Sequence, residues 1–205
     1  YRLPKPAYYF YKSQRHADDP FGEPMVHIAN NWTKISPLDV RVFSNCDSVE
    51  LFLNGESLGR QKPDENRISD NLKHPPFTFK INTFKEGALE AHGYIGGKLL
   101  VKTKVNSPKQ PSKIKLVIDD LGKEPMSNCN DILFVYAQIE DENGTLISTD
   151  TEISFKIEGD ARILGANSII ADAGVASALL QIGNSSGEVK VIAISENMAN
   201  ETLLN

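Results

Sequence analysis

An all-β fold follows from three observations along this 205-residue sequence. Short runs of alternating apolar and polar residues recur from Met25 to Ser195, and alternation with period two marks a half-buried strand. Turn-forming pairs (Asn54-Gly55, Glu86-Gly87, Gly96-Gly97 and Asn143-Gly144) punctuate the runs, because glycine and asparagine reach the positive φ that tight turns need. A polar stretch with two prolines, residues 106–112, divides the series in two, as an interdomain connection does. The expectation is two tandem immunoglobulin-like antiparallel β-sandwiches preceded by a short N-terminal helix. Residues 1–20 are helix and connector, 21–106 the first sandwich, 107–112 a short stiff linker and 113–205 the second sandwich.

The opening segment YRLPKPAYYFYKSQR places Pro6 in what would be a first helical turn, where proline is tolerated, and predicts a helix over residues 5–15. Tyr8, Tyr9, Phe10 and Tyr11 exceed what a free surface helix needs, so they pack either on the following domain or on something upstream. The first sandwich is then assembled from runs at 25–29, 40–44, 49–53, 56–61, 77–81, 88–94 and 98–105. The stretch from Asp39 to Arg60 is the most regular. Val40 and Val42 share a face, as do Val49, Leu51 and Leu53, and Ser44-Asn45-Cys46-Asp47-Ser48 reads as the turn of a β-hairpin between them.

Beyond the linker, runs at 113–119, 132–141, 145–148, 152–158, 161–164, 174–182 and 188–195 build the second sandwich. Leu133, Val135, Ala137 and Ile139 form one apolar stripe, and Ile153, Phe155 and Ile157 another. Residues 197–205 either begin a final strand or form an untied tail.

Several function classes are excluded at this level. The net charge of -5 comes from 22 basic and 27 acidic residues with no basic stripe, so nucleic acid is not an expected partner. No apolar run reaches the length of a membrane-spanning helix. The chain opens on Tyr1 without a signal-peptide pattern and reads as an internal cut. Cys46 and Cys129 fall in different predicted domains and are expected as free, half-buried thiols. His16, His27, His74 and His92 lack metal-ligand spacing and there is no CxxC, so no metal and no cofactor is predicted. The acidic runs Asp18-Asp19, Asp119-Asp120 and Glu140-Asp141-Glu142 sit beside turn signals. Acids there cap turns, and sequence neighbours diverge too far to form an opposed catalytic carboxylate pair. No catalytic residue is assigned.

Two sets of residues remain as candidates. Trp32, the only tryptophan, follows Asn30-Asn31, and an aromatic face flanked by amides is the chemistry of sugar stacking. Trp32, Asn31 and Tyr94 are therefore the candidate carbohydrate-binding residues. The competing reading, and the ordinary outcome for a lone tryptophan in a sandwich, is that Trp32 anchors a loop against the core. Phe43 and Phe52 fall out of phase with their inward stripes, as do Phe134 and Tyr136. An aromatic opposite the core face meets a second layer or marks an interface, so Phe43, Phe52, Tyr8 and Tyr11 are the candidate docking residues.

The string VRVFSNCDSVELFLNGESLGR, preceded by EPMVHIANNW and followed by PPFTFKI and GALEAHGYIGGK, closely resembles the C-terminal region of β-galactosidase-like glycoside hydrolases of family 2, of the Bacteroidetes type. In that family a strand ends in Ser-Asn-Cys, and Val-Glu-Leu-Phe-Leu-Asn-Gly and Leu-Gly follow. Here they stand at Ser44-Asn45-Cys46, Val49 to Gly55 and Leu58-Gly59. YRLPKPAYYFYKSQR resembles the last helix of the family's catalytic TIM barrel. Residues 112–195 resemble the invasin-like domain that follows, departing from it at Ala166-Asn167-Ser168, where members often carry Asn-Gly-Asp. The resemblance covers nearly the whole chain. It implies a parent protein, periplasmic or extracellular, that hydrolyses terminal β-galactosides or related glycosides. It also implies that both catalytic glutamates lie upstream of Tyr1, so this chain is expected to hydrolyse nothing and to support its own barrel. The rival expectations are a carbohydrate-binding module built on Trp32 and an adhesin-like tandem with a protein partner.

Overall fold

The computed structural model describes residues 4–120, 122, 130–184 and 187–204, so Cys129 lies outside the described residues. The chain divides into two compact units, Tyr1–Ser107 and Pro108–Asn205. The division falls inside the predicted linker. Ser107 N–H donates to Gly87 O (2.7 Å) in the first unit, whereas Lys109 N–H donates to Asp141 Oδ2 (3.0 Å) and Ser112 N–H to Glu140 O (2.9 Å) in the second. Residues 108–112 are thus tied into the second unit by their own backbone.

The first unit opens with helix α1 (Pro6–Ser13). Strands β1 (Val26–Ile28), β2 (Asp39–Ser44), β3 (Ser48–Leu53), β4 (Glu56–Gln61), β5 (Phe77–Lys80), β6 (Ala88–Ile95) and β7 (Lys98–Asn106) follow. They form two antiparallel sheets, ordered β1-β2-β5 and β4-β3-β6-β7. Alternation sorts their side chains. Val40 and Val42 of β2, Val49 and Leu51 of β3, Phe77 and Phe79 of β5, and Leu89 and Ala91 of β6 are at most 1% exposed and meet in one core with Trp32. Each phenylalanine buried this way contributes about 1.5–3 kcal/mol.

One expectation is corrected here. β2 and β3 do not pair as a hairpin: β2 lies between β1 and β5, while β3 lies between β4 and β6. Residues 45–47 carry the chain from one sheet to the other, and at this crossing the polar Ser44 and Asn45 are buried. Asn45, 5% exposed, accepts from Met25 N–H (2.9 Å) and donates from Nδ2 to Arg15 O (3.0 Å) and Glu23 O (2.9 Å). Ser44 Oγ donates to Met25 O (2.7 Å) and accepts from Cys46 N–H (3.1 Å). Cys46 is a buried free thiol, and burial pushes its pKa up. The true hairpin is β3–β4, turning at Asn54 (φ 53°) and Gly55 (φ 85°). Asn54 donates to Glu86 O (2.9 Å) and accepts from Ala88 N–H (2.8 Å), tying that turn to the start of β6. A Cβ at Gly87 would run into the Asn54 side chain.

In the second unit, β8 (Lys113–Asp119), β9 (Ile132–Glu140), β10 (Glu152–Glu158), β11 (Ala161–Leu164), β12 (Ser168–Ile170), β13 (Val175–Ile182), β14 (Val189–Ser195) and β15 (Met198–Leu204) form sheets β12-β10-β14-β15 and β11-β13-β9-β8. Leu133, Val135, Ala137 and Ile139 pack with Ile153, Phe155, Leu180 and Val191 between them. The run at 145–148 is not a strand; it contributes a single bridge, Glu140 to Leu146. The short β12 is an addition, paired with β10. The tail resolves as a strand: β15 pairs with β14 from Val189↔Leu204 to Ser195↔Met198, and Asn200 Nδ2 bonds Ile114 O (2.7 Å) on β8.

Candidate functional site

The candidate docking residues separate onto two different surfaces of the first unit. In α1 the four consecutive aromatics divide by helical geometry, since neighbours in sequence point about 100° apart. Tyr9 stacks on His27 of β1 (centroids 3.7 Å apart, planes at 10°), and Phe10 meets Phe43 of β2 edge-on (5.4 Å, 70°). Phe43 is thus covered by the helix. Tyr8 and Tyr11 point away, 54% and 74% exposed. The helix is anchored at its C-terminal end. Lys12 pairs with Glu23 (2.5 Å), Gln14 Nε2 donates to His74 O (2.7 Å), and His74 N–H donates back to Gln14 Oε1 (3.2 Å). Burial under Tyr9 lowers the pKa of His27, because the charged ring would lose its hydration.

Phe52 does not share that surface. It lies on the outer face of β4-β3-β6-β7, on the opposite side of the core, against His92 (4.5 Å between centroids). An ionic network surrounds it. Glu50 accepts from Ser57 Oγ (2.7 Å), Tyr94 Oη (3.1 Å) and Arg60 (3.2 Å). The Ser57 hydroxyl, ahead of Tyr94 and Arg60, holds its carboxyl below the usual range. The Arg60 guanidinium lies 3.5 Å over the Tyr94 ring. His92 Nε2 contacts Glu90 Oε1 (2.5 Å), and this hydrogen bond holds the Glu90 carboxyl below its usual range.

The candidate sugar-binding residues do not converge. Trp32 is 0% exposed; it donates from Nε1 to Lys85 O (2.9 Å) and packs on Phe84 (5.0 Å), so its ring offers no face to a ligand. Tyr94 lies on an outer sheet face beneath Arg60, and Asn31 is exposed on the loop beside Trp32. Trp32 is a core residue, for the physical reason that its indole N–H finds a backbone partner there.

In the acidic run at 140–142 the central carboxylate serves backbone. Asp141, 0% exposed, accepts from Asn143 N–H (2.9 Å) and Thr145 N–H (2.8 Å) at Oδ1 and from Lys109 N–H at Oδ2. Burial pushes its carboxyl up, but these hydrogen bonds outweigh burial and leave its pKa lowered. Glu140 faces Lys113 (3.5 Å) and Lys115 (3.7 Å). Among the described residues no group of three or more His, Cys, Asp or Glu side chains is placed to hold a metal ion. The fold does join two histidines 58 positions apart in the chain: His74 Nε2 lies 3.0 Å from His16 Nδ1.

Comparison with known proteins follows the same division of the chain. Residues 36–101 match a domain of unknown function (DUF4982), and residues 114–203 match glycoside hydrolase family 2 C-terminal domain 5. The chain belongs to the C-terminal accessory region of glycoside hydrolase family 2. A β-galactosidase of Thermoanaerobacter pseudethanolicus is 31% identical over 98% of this chain, which covers 28% of that protein. A putative β-glucuronidase of Formosa agariphila is 35% identical over 77% of this chain and 15% of its own length. A solved β-glycosidase from Bacteroides vulgatus shares the fold, with a TM-score of 0.82 at 23% identity over 98% of this chain and 26% of its own. This family 2 accessory region therefore spans less than a third of the relatives it matches.

Proposed function

We propose that this chain is the non-catalytic C-terminal part of an exported glycoside hydrolase acting on β-galactosides, and that its first domain seats the catalytic barrel through α1. The observation that carries the proposal is the two-sidedness of that helix. Tyr9 and Phe10 fix it to β1 and β2, while Tyr8 and Tyr11 hold two aromatic rings outward on a rigid base. Exposed aromatics held on an anchored element are what an interface core uses, since they bring large apolar area at little cost in side-chain freedom. The proposed substrate class follows the β-galactosidase named among the relatives; the β-glucuronidases make β-glucuronides the alternative outcome.

Two assays test the proposal. The chain alone is expected to leave aryl β-galactosides and aryl β-glucuronides intact; hydrolysis by the purified chain would overturn the non-catalytic assignment. In the full-length protein, the double substitution Tyr8→Ser with Tyr11→Ser is expected to lower the melting temperature and the aryl galactosidase rate, while in this chain, where the two rings meet Tyr9 and Phe10 edge-on, the same pair lowers the melting temperature far less. An unaltered full-length protein would show that α1 seats nothing.

A further inference from the structure

The four histidines are scattered in sequence, yet two of them meet. His16 follows α1, His74 precedes β5, and His74 Nε2 lies 3.0 Å from His16 Nδ1, with the rings nearly perpendicular (78°). A hydrogen bond between two neutral imidazoles uses one N–H and one lone pair. If the donating ring moves its proton to its other nitrogen, both facing nitrogens present lone pairs and each ring stays neutral. Two lone pairs at this separation are close to the requirement of one tetrahedral zinc ion, whose bonds to imidazole are about 2.0–2.1 Å and whose ligand nitrogens stand roughly 3.3 Å apart. His16 is exposed and His74 half-buried, so a small outward pivot of the His16 ring supplies the difference.

We propose that His16 and His74 form a two-histidine site for a divalent transition-metal ion of imidazole preference, zinc foremost, with water completing the shell. Two charged groups face the pair. The Asp19 carboxylate, which accepts from His16 N–H (3.2 Å), favours a cation there, and Lys73 opposes one. The segments involved are already held together by the two Gln14–His74 backbone contacts, so the ion would bind a preformed pair. It would clip residue 16 to residue 74 across a long loop, where a cross-link stabilises most. The site is independent of the barrel-seating role of α1.

Zinc ion alone is the probe, titrated into the chain by calorimetry, with melting followed in zinc and in EDTA. The expected result is one site per chain and a melting temperature that climbs with the logarithm of free zinc, as mass action requires. Both effects should weaken as the pH falls below about 6.5, where protons compete for imidazole. His16→Gln and His74→Gln should each abolish the zinc response, and His92→Gln should keep it. Because His16 is exposed, His16→Gln is the variant least prone to disturb folding, and its melting in EDTA verifies that it folds. Absence of any zinc heat in the wild-type chain, or an undiminished response in His16→Gln, would overturn the site.

Discussion

The two outer faces of the first sandwich solve the same problem with opposite chemistry. Each carries a phenylalanine out of phase with the core, Phe43 on β2 and Phe52 on β3. Phe43 is covered by an apolar lid, with Phe10 edge-on and His27 beside it under Tyr9. Phe52 lies among polar side chains that hydrogen-bond one another: His92 with Glu90, and Glu50 with Arg60, Ser57 and Tyr94. An aromatic on the outside of a sheet thus says that something lies over it, without saying whether that layer is a helix or a set of ion pairs. The covered face stores its stability in packing and directed hydrogen bonds. The ionic face holds side chains in register at little net gain, because partly exposed ion pairs contribute roughly 0–1 kcal/mol.

The comparison can be broken or sharpened by unfolding experiments that use Trp32 as the probe. It is the only tryptophan and is buried in the first unit, so its fluorescence reports that unit alone. The largest effect is expected at the crossing between sheets. Asn45→Ala removes one acceptor and two donor contacts and strands Met25 N–H, which should cost about 3 kcal/mol in urea unfolding. Next comes the lid. Phe10→Ala and Phe43→Ala should each cost about 2 kcal/mol, and the double-mutant cycle should show a coupling of about 0.5–1.5 kcal/mol. Phe52→Ala paired with Phe10→Ala should add without coupling, since the two lie on opposite faces.

A pH effect on the lid side should be smaller. His27 and His74 both have pKa values lowered in the fold by burial, so the unfolded chain takes up protons first. Their stability contribution is therefore full above the ordinary imidazole value of about 6.5 and is lost as the pH drops through the folded values. The Trp32 unfolding midpoint should fall between neutral and mildly acidic pH, and fall less in His27→Gln. The smallest effect belongs to the ionic face. Arg60→Ala should move the midpoint least of all, with high salt shrinking the difference further.

Much of this architecture was legible in the residues, because alternation is a local property. Val40, Val42, Val49, Leu51, Phe77 and Phe79 announce their inward faces by spacing alone, and the structure buries all six. What was not legible depends on contacts across the fold. The segment at 44–48 has the composition of a hairpin turn, yet it crosses between sheets, because Asn45 finds partners at residues 15, 23 and 25 that no local window reveals. β12 is only three residues long, too short to show a period, while the alternating run at 145–148 makes one bridge and no ladder. Trp32 illustrates the same limit from the other side. Its neighbours Asn30 and Asn31 suggested a sugar platform, but Lys85 O, far along the chain, takes the indole N–H into the core. The His16–His74 pair had no sequence signal, since two histidines 58 residues apart form no spacing motif.

The central claim is that α1 carries an outward aromatic face that the rest of a longer enzyme covers. Tyrosine nitration followed by peptide mass spectrometry tests it most directly, comparing this chain with the full-length protein. The account predicts that Tyr8 and Tyr11, 54% and 74% exposed here, react readily in the chain and are protected in the full-length protein, while the buried Tyr94 is slow in both. Equal reactivity of Tyr8 and Tyr11 in the two proteins would contradict it.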